Sequence, residues 1–249
     1  MKKIIYIILC IATITIQSCS NKSTLNADQI IDKAIHAHGG HLLEQSTMVF
    51  NFRDVRYRAI RNNGEYEFTR IFKNDSSTVV DMFSNYKSMR LINDIPQRVA
   101  DSVMNGYVSG VNSVIYFAQL PYSLDGPAVN RELIGEKIIN NQPYYKVKIT
   151  FDPNGGGEDH EDEFIYWIQK ETYLVDYLAY SYCEEECGYR FRESINRRSI
   201  SGVMIQDYNN YKETIQDPDL SHMDQLFLDQ KLDLLSKIIL ENVTIDIKD

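Results

Sequence analysis

From residue 45 onward the chain alternates apolar and polar side chains so regularly that strands can be counted, and the alternation breaks into helical spacing at a few places. Met48, Phe50 and Phe52 share one face of an extended segment while Asn51, Arg53 and Val55 share the other. The chain turns at Asn62-Asn63-Gly64, and Tyr66, Phe68, Arg70 and Phe72 continue the meander. A further turn at Asp75-Ser76-Ser77 leads into strands at 78–83 and 86–92. After Pro96 the period moves from two to nearly four. Val99, Val103, Tyr107, Val111 and Ile115 make one stripe of a helix over 97–117, ending near Leu120-Pro121. Alternation resumes at 131–137, 144–151, 163–169, 173–183, 187–195 and 200–211, with turns or bends at Asn140-Asn141, Asp152-Pro153-Asn154-Gly155, Lys170-Glu171 and Ser201-Gly202. A mixed segment carrying Leu220, Met223, Leu226 and Phe227 is partly helical, and 237–247 reads as a closing strand.

Ahead of the strands, Asn26 caps a helix over 27–38 whose face is Ile30, Ile31, Ala34 and Ile35, stopped by Gly39-Gly40. Several strands are aromatic or aliphatic on both faces, Phe164, Tyr166 and Ile168 on one and Ile165 and Trp167 on the other. A flat sheet with one wet face does not suit them. The pattern predicts a mainly β fold with a few helices, a curved antiparallel sheet or half-barrel wrapped around one or two helices.

The first eighteen residues follow another rule. Lys2 and Lys3 precede an apolar stretch from Ile4 to Ile16, too short to span a bilayer, and Ser18 stands immediately before Cys19. This segment resembles a bacterial lipoprotein signal with its lipobox, which implies cleavage after residue 18, acylation of Cys19, and a short polar tether over 19–26 leading into one domain over 27–249. Two or more acyl chains on one cysteine give stable membrane attachment without a membrane span. Ser20 follows Cys19, with no acidic cluster up to Thr24. By resemblance to lipoprotein sorting rules this implies an outer-membrane lipoprotein facing the periplasm.

Loss of Lys2 and Lys3 takes the 26 Lys and Arg to 24 against 35 Asp and Glu, a mature net charge of −11. The densest arginines, Arg190, Arg192, Arg197 and Arg198, sit among Glu184, Glu185, Glu186 and Glu193. No basic face for nucleic acid emerges. With Cys10 removed and Cys19 acylated, two of the four cysteines are left, Cys183 and Cys187, facing an oxidising compartment. If Glu184-Glu185-Glu186 is a hairpin loop, the two cysteines oppose each other on one face at disulfide distance; free thiols and a metal pair are the alternatives.

Other chemistry is sparse. Asp152, Asn154, Gly157 and Glu163 match an EF-hand loop at its first, third, sixth and twelfth positions, but Gly156 replaces the fifth-position ligand, Pro153 stands second, and strands flank the loop. A solvated acidic loop and a weak calcium site are the two readings, and we assign no metal and no cofactor. His36, His38 and His41 surround Gly39-Gly40 without converging, since the first two project from different sides of a helix. No GxSxG, HExxH, P-loop or GxGxxG is present.

The lipobox, a helix ending in Gly-Gly, the tyrosine-rich meander and the intervening helix together resemble the LolA/LolB/LppX-like half-barrel superfamily of lipoprotein carriers and lipid-binding lipoproteins. The segments ADQIIDKAIHAHGG, GEKIINNQPYYKVKITFD, FIYWIQKETYLVDYLAYSY and LLSKIILENV resemble a Bacteroidota lipoprotein family of unknown function over nearly the whole mature chain. The resemblance implies a curved antiparallel sheet around helices with an apolar concavity. With 17 Tyr and 10 Phe, side chains with apolar faces and polar tips are plentiful enough to line such a concavity for a lipid or other amphiphile. The expected lining includes Tyr66, Phe68, Tyr107, Val111, Tyr166 and Tyr180, with the 97–117 helix as plug or lid. The expected role is therefore a non-catalytic, membrane-anchored binding lipoprotein. A hydrolase of an envelope lipid or glycan and a structural or partner-docking lipoprotein are the alternatives.

Overall fold

The structure is a computed structural model and describes residues 25–156, 160–183, 187–215 and 218–248. The signal segment, Cys19 and Glu184-Glu185-Glu186, expected as a hairpin loop, lie outside the described residues. Helix α1 (Ala27–Ala37) opens on Asn26, whose side chain accepts from the Gln29 backbone N–H while the Gln29 side chain accepts from the Asn26 N–H. Two otherwise orphaned donors are thereby satisfied. Ala27, Ile30, Ile31, Ala34 and Ile35 are buried, each isoleucine contributing on the order of 1.5–3 kcal/mol. Gly39, in the left-handed conformation at φ 68°, ends the helix and starts a 3-10 turn over Gly40–Glu44.

Fourteen strands follow in two antiparallel sheets among the described residues. The first contains β1 (Gln45–Phe52), β2 (Val55–Asn62), β3 (Glu65–Asn74), β4 (Ser77–Ser84), β5 (Ser88–Ile92) and β6 (Ile95–Pro96) in chain order. The extended segment expected through Met48 to Val55 is a hairpin instead, because Arg53 adopts a positive φ of 54° and Val55 pairs back onto Phe52. Helix α2 (Asp101–Gln119) then carries the chain to the second sheet: β7 (Val129–Ile139), β8 (Gln142–Phe151), β9 (Phe164–Gln169), β10 (Val175–Cys183), β11 (Cys187–Ile200) and β12 (Val203–Glu213).

A third helix, α3 (Met223–Leu228), precedes β13 (Leu232–Ile238) and β14 (Leu240–Ile247). The single closing strand expected over 237–247 is thus divided. β13 pairs with β12 at the edge of the second sheet, and β14 pairs with β1 at the edge of the first. The two sheets meet along this corner and do not close into a barrel. They form the mainly β, curved antiparallel architecture expected from the sequence.

The helices explain why β9 is buried along its full length. Its Phe164, Tyr166 and Ile168 pack with α1 on the inner face of the second sheet, together with Leu178, Tyr180 and Tyr208. Ile165 and Trp167 point outward and are covered by Leu220, Met223 and Phe227 of the α3 region. The Trp167 indole N–H donates to buried Asp224, which also pairs with Lys146 at 3.1 Å. On the first sheet, Val111 and Ile115 of α2 seal against Phe50, Tyr57, Phe68 and Phe83. So α1 serves the second sheet, while α2 packs on the first through Val111 and Ile115 and reaches the second through Tyr116 and Phe117, and where it passes between them a gap remains.

Candidate functional site

That gap is a cavity of about 390 Å3, within the range of roughly 300–1,000 Å3 for small-molecule pockets. Ser113, Val114, Phe117 and Ala118 on the C-terminal half of α2 form one wall. The opposite wall is the inner face of the second sheet: Tyr180 and Tyr182 from β10, Arg190 and Arg192 from β11, Gln206 and Tyr208 from β12, and Ile238 from β13. Phe52 and Leu240 supply the corner with the first sheet, and Asp162 and Cys183 reach it from the hairpin end. Strand alternation places these side chains. In the β10–β11 ladder, Tyr182 pairs with Gly188, Tyr180 with Arg190 and Leu178 with Arg192, and this parity faces inward while Ala179 and Phe191 face out. Cys183 and Cys187 form a disulfide that pins the register at the end of the hairpin.

Arg192 is the unusual member of the lining. It is 7% exposed, and among the described residues no carboxylate pairs with it. One Nη2 N–H donates to the Tyr180 hydroxyl at 2.8 Å, and the guanidinium lies 3.8 Å from the Phe117 ring centroid on α2. Its Nε is buried with no acceptor. A buried cation held by aromatic faces and one neutral hydroxyl keeps unmet demand for an anion. Arg190, by contrast, has Glu213 at 3.8 Å and lies over the Tyr182 ring. Burial raises the Tyr208 hydroxyl above its usual range, and the hydroxyl accepts from Gln206 Nε2 at 2.7 Å.

Of the six residues expected to line a concavity, Tyr180 does so. Tyr166 and Val111 are fully buried in packing, the former against α1 and the latter between α2 and the first sheet. Tyr66 and Phe68 form an aromatic cluster with Phe83 on the first sheet. Tyr107 lies under the Arg90 guanidinium, 3.4 Å from its ring centroid, and Arg90 in turn joins Arg70 in clamping buried Asp81. These five therefore hold the helices to the sheets, and the cavity lies further along α2 than its stripe suggested.

In the sequence Arg192 stands as one arginine among glutamates. The signal that finds it is register. Counting back from a Cys183–Cys187 pair assigns Arg192 the same face as Leu178 and Tyr180, where a lone cation is out of place.

Asp152 and Glu163 each have another partner, Asn130 Nδ2 at 2.8 Å and Lys148 Nζ at 2.9 Å. Among the described residues no three His, Cys, Asp or Glu side chains gather as a metal site. His36 and His41 stack on each other at 5.0 Å, whereas His38 is buried with Nδ1 on the Ala34 carbonyl. Asp219, Ser221 and His222 are adjacent on the surface, but Ser221 Oγ and Asp219 Oδ2 both contact His222 Nδ1. A relay needs the two partners on opposite ring nitrogens.

The sequence matches a family of unknown function, DUF6503, over residues 2–241. The chain belongs to that family. No curated protein matches this DUF6503 member at a significant level. Among solved structures it is similar to a DUF1329 family protein from Desulfovibrio piger, at 10% identity and a TM-score of 0.53, covering 91% of this chain and 95% of that one. A LolA superfamily protein from Nitrosomonas europaea aligns at 12% identity and a TM-score of 0.47, over 91% and 95% of the two chains. The lipoprotein LppX from Mycobacterium tuberculosis aligns at 11% identity and a TM-score of 0.29, over 63% and 87%. The first of the three supports a shared fold; at these identities none of them carries a function across. No helix among the described residues is long and apolar enough to cross a membrane.

Proposed function

We propose that this DUF6503 protein is an envelope lipoprotein, anchored through Cys19 to the periplasmic face of the outer membrane, that binds an amphiphile without transforming it. The observation that carries the binding role is the cavity between α2 and the second sheet. Val114, Phe117, Ala118, Phe52, Ile238 and Leu240 offer it an apolar lining, and a few polar groups converge at one side. Catalysis finds less support, because the cavity brings together no nucleophile with a base and no pair of carboxylates among its lining residues. The anchor rests on the lipobox-like run ending in Ser18-Cys19.

The test is native mass spectrometry of the Cys19→Ala mature chain purified from a bacterial envelope. A copurifying lipid, lost when Ala118→Trp fills the cavity, supports binding. A ligand-free protein that takes up no added amphiphile refutes it. In cells, Cys19→Ala should move the protein from the membrane to the soluble periplasmic fraction, and protease added outside intact cells should leave the wild type uncut.

A further inference from the structure

We propose that the cavity selects an anionic amphiphile with a single acyl chain, and that Arg192 is the group that reads its acidic head. This rests on the binding role proposed above and specifies the class of ligand. The protein surface is acidic overall, at −9 for the whole sequence. An incoming anion is therefore repelled outside and must be rewarded inside. Arg192 supplies that reward. The residue is 7% exposed, and its guanidinium uses one N–H on the Tyr180 hydroxyl and leaves Nε with no acceptor. A purely structural arginine at such depth is ordinarily matched by a carboxylate or by several carbonyls. Here the covering group is the Phe117 ring, 3.8 Å away on the helix that forms the opposite wall.

A planar fork with a free donor edge fits a carboxylate or a phosphate. The tail then runs over Val114, Ala118, Ile238 and Leu240. A volume of about 390 Å3 stands near the small end of the range for ligand pockets, which suits one chain rather than several. The other cation of the lining, Arg190, has Glu213 as an ion-pair partner at 3.8 Å, whereas among the described residues no carboxylate forms an ion pair with Arg192.

The experiment is titration calorimetry of the delipidated Cys19→Ala mature chain with three probes of equal chain length: dodecanoate, dodecyl phosphate and dodecanol. Both anions should bind about tenfold or more tightly than the alcohol, the difference expected for charge-assisted hydrogen bonds in a buried site. The tighter of the two identifies a fatty-acid or a phosphate-bearing source. Arg192→Met, of similar length and apolar, should fold, bind dodecanol at least as well as the parent, and lose the preference for anions. Arg192→Lys should retain part of it. Equal affinity for all three probes in the unmodified site would overturn head-group selection while leaving amphiphile binding intact. Binding of none would overturn the binding role itself. An anion preference that survives in folded Arg192→Met would remove Arg192 from the site.

Discussion

The Asp207 carboxylate accepts the backbone N–H of Leu240 at 2.9 Å, across the point where the chain leaves one sheet for the other. The same carboxylate takes the Asn196 side-chain amide at 3.1 Å and the Arg198 guanidinium at 3.2 Å, while Arg198 donates to the Leu240 carbonyl at 2.6 Å. Asn196 and Arg197 occupy the bulge where β11 slips register against β12, and that slip swings Asn196 and Arg198 toward the corner. Both backbone groups of Leu240, which stands opposite Phe52 in the β1–β14 ladder, are therefore engaged by side chains of the second sheet. Removing the carboxylate leaves a backbone donor and a cation without their partner. Asp207→Ala is expected to lose about 2–4 kcal/mol of unfolding free energy in urea melts. Asp207→Asn, which still accepts from Leu240, should lose less.

His38 makes stability depend on pH. Burial, the largest influence, lowers its pKa from 6.5 to about 4, against the opposing pull of the Ala34 carbonyl. The folded protein holds the ring neutral, with Nδ1–H on Ala34 and Nε2 buried without a partner. Between pH 6.5 and about 4 the unfolded chain takes up a proton here that the native chain refuses. Stability contributed at this position is thus intact above pH 6.5 and falls as pH drops through that window, by about 3 kcal/mol at its end. Denaturant melts from pH 7.5 to 4 should show this slope, and His38→Phe should flatten it.

Gly39 joins α1 to the strands with no room for a side chain. A Cβ there would overlap the Gly202 carbonyl oxygen, and its φ of 68° strains any other residue. Gly39→Ala is expected to cost more than about 2 kcal/mol. Gly64, at φ 87° but with open space around its Cα, provides the comparison: Gly64→Ala should cost only the conformational part, about 1 kcal/mol. Thermal melts of the two variants separate contact from conformation.

Cys183 and Cys187 close a very short loop. The chain-entropy argument gives such a bridge about 2 kcal/mol or less. The double Cys→Ser variant should fold, because β10 and β11 pair along seven residue positions without relying on the bond. A non-reduced digest of the wild type should yield the linked peptide, and the variant should melt only slightly lower.

Much of this architecture could be read from the residues, and the exceptions have identifiable physical causes. Capping by Asn26 and the left-handed stop at Gly39 are local effects, encoded within a few positions. Strand alternation through Ser77–Ser84 survives because Val79, Asp81 and Phe83 are buried and the positions between them are not. The turn at Arg53-Asp54 escaped notice because no Gly or Asn marks it; the pairing of Val55 with Phe52 holds Arg53 in its conformation. The break between β13 and β14 has no turn signal either, since the Asp207 network imposes it from thirty-odd residues away. For the cavity, tyrosine content pointed to aromatic walls correctly in kind, but most of those rings turned out to be packing. Which tyrosine stays partly uncovered is decided by where α2 crosses the sheets, a relation between distant segments that periodicity does not record.

The pairing of β14 with β1 joins Ser46 to Ile247, about 200 residues apart in sequence. A ribosome or a translocon delivers β1 long before its neighbour exists. Until the last strand arrives, one edge of the first sheet is an open template for any passing strand. Contacts of such long range also slow the final step, since the loop they close is nearly the whole chain. Truncation at the C-terminus should therefore be felt first at the opposite end of the chain, in the exposure of β1, and a chaperone that shields nascent chains would meet this protein with that edge unguarded.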